Sequence, residues 1–187
     1  MKQWFDGDIS FQELNKISGP EMLQMAIFGF QQYEQGKYTE AQTLFEALTD
    51  LDDKEPYYLI ALGAVYLAQD ELKKAEKAFN KAIALKTTEI SAFVNRGEVF
   101  LRQGLVLEAA QDFKKAVDMD PEGKDPLSQR ARLLAAAALE MLEGAEGDTP
   151  APKKAAPQKA APPKGVPAAA KKVEKKPAPK AAAAKKR

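Results

Sequence analysis

Four sets of residues recur along this chain at an interval of 34 positions, and the phase never slips. Gly29, Gly63 and Gly97 form the first set, and Ala41, Ala75 and Ala109 the second. Phe45, Phe79 and Phe113 form the third, and Leu48, Ala82 and Ala116 the fourth. A unit this short cannot bury its apolar face alone, so a fixed period of this size means stacked copies that cover one another. The residue types fit two antiparallel helices that cross closely in each copy. A side chain at the glycine would force the helices apart, the alanine does the same service from the second helix, and the phenylalanine fills the space between one copy and the next.

This arrangement of small and aromatic residues resembles the tetratricopeptide repeat (TPR) over about residues 21–121. The fold expected is all-α, a right-handed TPR superhelix of three helix-turn-helix repeats with flanking N- and C-terminal helices and a disordered C-terminal tail. The boundaries expected are 1–20 for an N-terminal segment with a short helix and 21–123 for the repeats (22–55, 56–89 and 90–123). A capping helix would occupy 124–144, and a Lys/Ala/Pro-rich tail 145–187.

Local signals agree. Ser18 with Glu21, and Thr39 with Gln42, have capping-box spacing. Gly36 and Gly104 suit turns with positive φ, and Asp70 stands at the same place in the second repeat. Pro56 and Pro121 mark boundaries, whereas Thr87 stands where the repeat consensus has proline. Ser10 with Glu13 signals a helix at about 10–17. Asp125-Pro126 opens the last helix as an N-cap followed by proline, and Gly144 stops it.

Charge is unevenly placed. Residues 149–187 hold 12 basic groups and one acidic group, whereas the first 148 residues hold 16 basic and 26 acidic groups, so a basic tail follows an acidic body. Eight of the 12 prolines lie in that tail, which predicts disorder there. It has no aromatic residue for stacking on bases, so any nucleic-acid binding would be sequence-blind and salt-dependent.

The chain has no cysteine and no histidine. Disulfides, thiolate or imidazole metal sites and Ser–His or Cys–His nucleophile pairs are therefore excluded. No catalytic residue, metal or cofactor is expected. Asp118, Asp120, Glu122 and Gly123 imitate the start of a calcium loop, but Gln129 stands where a bidentate glutamate is needed. A helix end plus a turn explains them, and Asp50, Asp52 and Asp53 read as an inter-repeat loop. The N-terminus lacks a basic stretch followed by an apolar one, and no apolar run approaches the roughly 18 residues that span a bilayer. A soluble cytoplasmic protein without membrane insertion is expected.

The TPR resemblance implies which face binds. Four positions on each first helix would line the concave surface: Leu23, Ala26, Phe30 and Tyr33; Tyr57, Ile60, Ala64 and Leu67; Ser91, Val94, Glu98 and Leu101. Ten of the 12 are apolar or aromatic, which favours an apolar ligand. The positions of a carboxylate clamp hold Ala26, Phe30, Ala61, Ser91 and Asn95, none of them basic.

A narrower resemblance rests on Gln12-Glu-Leu-Asn-Lys-Ile-Ser18, Tyr33-Glu-Gln-Gly-Lys-Tyr38, the Ala41/Phe45/Leu48 set and Leu62-Gly63-Ala64. Over about residues 10–143 the chain resembles the type III secretion translocator chaperones of class II, the LcrH/SycD type. The resemblance implies an ATP-independent chaperone that holds a hydrophobic translocator, through an extended segment, in the bacterial cytoplasm before export. It also implies a homodimer formed through the N-terminal region. Trp4 and Phe5 read either as packing on a neighbouring helix or as a dimer contact. Groove positions carried over are Phe30, Tyr33, Leu51, Tyr57 and Ile60; with the concave positions Leu23, Leu67, Val94 and Leu101 they make the candidate client-binding set. Ala26 is small where the family commonly has an aromatic. The alternative is a general TPR adaptor whose basic tail recruits nucleic acid or acidic partners.

Overall fold

A computed structural model describes residues 17–85 and 88–144, which contain seven α-helices: α1 (Gly19–Glu34), α2 (Tyr38–Leu51), α3 (Pro56–Ala68), α4 (Leu72–Ala84), α5 (Ile90–Gln103), α6 (Val106–Met119) and α7 (Pro126–Gly144). The expected helix before Ile17, the pair Trp4 and Phe5, Thr87 and the basic tail lie outside the described residues. Helices α1/α2, α3/α4 and α5/α6 are antiparallel pairs joined by one repeated turn. Gly36 (φ 78°), Asp70 (φ 62°) and Gly104 (φ 79°) take the left-handed conformation at corresponding places. The next amide reaches back to a carbonyl in the preceding helix each time: Lys37 to Gln32, Glu71 to Tyr66 and Leu105 to Phe100, all at 2.9 Å. This wrap satisfies carbonyls that a helix end leaves without partners.

The expected capping box at α1 is present, with the Ser18 amide and hydroxyl both donating to the Glu21 carboxylate at 2.8 and 2.7 Å. The expected box at Thr39 is not. Helix α2 already begins at Tyr38, so Thr39 lies in its first turn, its carbonyl accepts from the Thr43 hydroxyl, and Gln42 donates to Glu46 instead.

The glycine–phenylalanine register is the packing unit. Each ring lies over the glycine of its own repeat: Phe45 over Gly29, Phe79 over Gly63 and Phe113 over Gly97. The rings are essentially inaccessible, as are Ala41, Ala75 and Ala109. The expectation that the rings sit between repeats is refined accordingly: they lock each pair first. Helix α3 is buried on all sides, as its nearly uniform apolar sequence requires.

Polar bonds tie the repeats together at the layer edges. The Tyr66 hydroxyl donates to Glu46 at 2.6 Å, joining α3 to α2 and holding that carboxyl below its ordinary pKa. Arg96 grips both Asp112 oxygens at 2.7 Å and donates to Asn80 at 2.7 Å, joining α5, α6 and α4.

Helix α7 packs along α6 and reaches α5. Its start is well anchored: the Leu127 amide donates to Asp125 at 2.7 Å, and the Asp120 carboxylate accepts from the Asp125 amide and the Ser128 hydroxyl at 2.7 and 2.6 Å. The Asp-rich stretch at 118–123 is thus a helix end and a turn. Helix α7 covers the third repeat but leaves leucines of its own, Leu133 and Leu139, exposed. An apolar groove of about 540 Å³ runs between it and α6, lined by Leu107, Val117, Ala135, Leu139 and Leu142.

Candidate binding groove

Helices α1, α3, α5 and α7 touch in succession, whereas α2, α4 and α6 make no comparable contact with one another. The first set therefore lies on the shorter, inner circumference, and its free side is the concave face. The predicted groove residues divide by exposure. Leu23, Phe30 and Leu101 are half-buried and present apolar surface. Tyr33, Leu51 and Tyr57 are nearly buried, at 4, 7 and 8 % exposure. Ile60, Leu67 and Val94 have no accessible surface, so they hold the inner helices together and do not line an open groove in this conformation. For Ile60 and Leu67 the reason is that α3 is flanked by α1 and α5 on the inner side, and Val94 of α5 is likewise flanked by α3 and α7.

Aromatic contacts organise the two outer parts of the first half. Phe30 and Tyr33 stack at 6.4 Å between centroids, Tyr33 meets Tyr38 at 5.6 Å, and Tyr57 meets Tyr58 edge-on at 5.9 Å. Burial pushes the Tyr57 hydroxyl up to about pKa 12 and raises that of Tyr33 further, so both stay neutral hydrogen-bonding groups over any physiological range.

The third-repeat end is polar, as Ser91 and Glu98 foretold, but the residue types alone did not reveal its ion pairs. Glu98 is nearly buried and accepts from Arg130 of α7 at 2.7 Å. Arg102, one turn along α5, approaches the same carboxylate at 3.4 Å, Asp70 at 3.5 Å and the Leu67 carbonyl at 3.2 Å. The Tyr33 hydroxyl of the first repeat feels the charges of Glu98, Arg130 and Arg102. The Ser91 hydroxyl and the Nε of Arg130 are buried without a hydrogen-bond partner. The five clamp positions lack a basic residue, and the two guanidiniums meet at Glu98 instead. Arg102 was missed, and its four-residue spacing from Glu98 is the one signal that could have found it. Arg130 had no signal, because another helix delivers it.

Among the described residues no cluster of metal-ligating side chains occurs, and no helix is long and apolar enough to cross a membrane.

Comparisons with known proteins agree with this geometry. The tetratricopeptide repeat family model matches residues 32–90 and 91–124. It is 34 % identical over 64 residues to low calcium response locus protein H of Yersinia pestis; the match takes in 34 % of this chain and spans only 38 % of that relative's length. The solved type III secretion translocator chaperone SycD of Yersinia enterocolitica superposes with a TM-score of 0.64 at 27 % identity, covering 69 % of this chain and 98 % of that one. The same chaperone in complex with a peptide of the translocator YopD gives 0.62 at 26 % identity, covering 67 % and 98 %.

Proposed function

Taking the chain as a tetratricopeptide-repeat protein that resembles the type III secretion translocator chaperones, we propose that it is such a chaperone. It binds an extended apolar segment of a translocator along the concave face and acts by binding alone, without ATP and without catalysis. The observation that supports this reading is that Leu23, Phe30 and Leu101, at positions of the first and third repeats that the resemblance assigns to the concave face, keep apolar surface accessible. A protein destined to enter a membrane carries apolar segments that would aggregate in water, and a preformed groove masks them reversibly at small ordering cost. The acidic body, ten negative charges in excess over residues 1–148, keeps such a complex soluble in the cytoplasm. Tyr33, Leu51 and Tyr57 contribute ring edges and rims, whereas Ile60, Leu67 and Val94 support them from below. A homodimer through the N-terminal region is part of the same proposal, read by light scattering on the full chain.

The test is purification from the source organism at mild salt, beside the double variant Leu23→Glu, Leu101→Glu. These positions are half-buried, so the variant keeps the fold, which Ile60→Glu would not. A partner with long apolar segments, retained by the wild type and lost from the folded variant, supports the proposal. Hydrophilic partners that survive the change would replace it with the adaptor reading.

A further inference from the structure

The proposed client groove is apolar except at one place, where Glu98 lies between two guanidiniums. The Arg130–Glu98 bond, at 2.7 Å, suffices to fasten α7 to the third repeat. Arg102 is different. It is about three-quarters buried (side-chain exposure 23 %), yet all its contacts are long: 3.2 Å to the Leu67 carbonyl, 3.4 Å to Glu98 and 3.5 Å to Asp70, whose own side chain is 74 % exposed. Charge-assisted N–H···O bonds are ordinarily about 2.7–2.9 Å. A guanidinium drawn out of water and held by loose partners is costly unless something else supplies an acceptor. Beside it, the buried Nε of Arg130 has no partner.

Resting on the reading of the concave face as the client site, we propose that Arg102 and Arg130 together bind an acidic side chain, an internal Asp or Glu of the extended client segment. The apolar residues of the client set affinity along Leu23, Phe30 and Leu101. The acid fixes its register at the third repeat, where Arg102 and Arg130 stand on either side of Glu98. Arg102 then exchanges its long contact with Asp70 for a short one with the client.

The test is selection of 12-residue random peptides on the immobilised full-length protein, counting only peptides whose binding is lost on Leu101→Glu. Enrichment of apolar residues with one Asp or Glu at a fixed spacing is expected. Against such a peptide, Arg102→Gln should weaken binding about tenfold, the scale of one charge-assisted hydrogen bond. Changing the peptide's acid to its amide should cost the same, and the two changes together little more. Arg102→Lys should retain part of the affinity, and circular dichroism melts should show both variants folded. Apolar enrichment without a fixed acid would overturn this inference and leave the groove standing. Absence of apolar peptides that depend on Leu101 would overturn the groove reading itself.

Discussion

Replacing Gly97 by alanine tests the packing unit directly. A Cβ there would lie 2.5 Å from Phe113 Cε1 and 2.9 Å from Cδ1 and Cζ. Comfortable carbon–carbon separation is about 3.5–4.0 Å, so the ring must retreat by roughly 1 Å. Phe113 has no accessible surface, and its retreat pushes packed neighbours. Overpacking of this kind costs about 1–3 kcal/mol, and the better helix propensity of alanine returns about 1 kcal/mol; with so short a contact Gly97→Ala should lie toward the unfavourable end, a loss of up to about 2 kcal/mol. Gly29 is the internal control. A Cβ there meets Phe45 at 3.1 Å, a few tenths too close, and the two terms nearly cancel. Gly63, at 2.6 Å from Phe79, should behave like Gly97. Urea denaturation followed at 222 nm measures all three. A double-mutant cycle with Phe113→Leu, which removes the clashing ring edge, should show a coupling of about 1 kcal/mol. If Gly97→Ala proves as stable as Gly29→Ala, or more stable than the wild type, the close crossing is not what selects glycine.

Other outcomes follow from the polar contacts. Asp112→Ala should destabilise the fold by about 2–3 kcal/mol, because it strands a mostly buried Arg96 guanidinium; Asp112→Asn should cost less, and the same denaturation series reads both. Tyr33, Tyr57, Tyr58 and Tyr66 all have hydroxyls raised above the ordinary pKa, chiefly by burial. Their folded forms hold protons more tightly than the unfolded chain, so this stability is complete below pH 10 and is lost as pH rises through the folded values. Tyrosinate absorbance at 295 nm should therefore rise together with loss of helix, and a simple exposed-tyrosine titration near pH 10 would refute this. Ser128→Ala removes the largest cause lowering the Asp120 carboxyl, so its pKa, followed by NMR, should return toward the ordinary range. Any stability that pair supplies is present above the ordinary carboxylate pKa and lost as pH falls through the lowered one.

Much of this was legible in the sequence because repetition amplifies weak signals. A single glycine inside a helix says little, but Gly29, Gly63 and Gly97 in step with three phenylalanines define a crossing. The turns at Gly36, Asp70 and Gly104 were readable for the same reason, since one backbone conformation recurs three times. Thr39 misled because its spacing to Gln42 is generic, and backbone bonding begun at Tyr38 outweighed it. Exposure was not legible. Ile60, Leu67 and Val94 carry the same apolar character as Phe30 and Leu101, and only the closeness of α3 to α1 and α5 decides which of them a ligand could reach. Arg130 was invisible, because its place beside Glu98 depends on where a whole helix comes to rest.

The three glycine contacts are unequal, at 3.1, 2.6 and 2.5 Å from the first repeat to the third. Each of these contacts lies inside one helix pair, so it fixes how closely the two helices of that repeat cross. Room to adjust the crossing is therefore greatest in the first repeat and least in the third. Arg102 stands on the same helix as Gly97, so the proposed register contact is carried by the repeat whose internal crossing has the least slack.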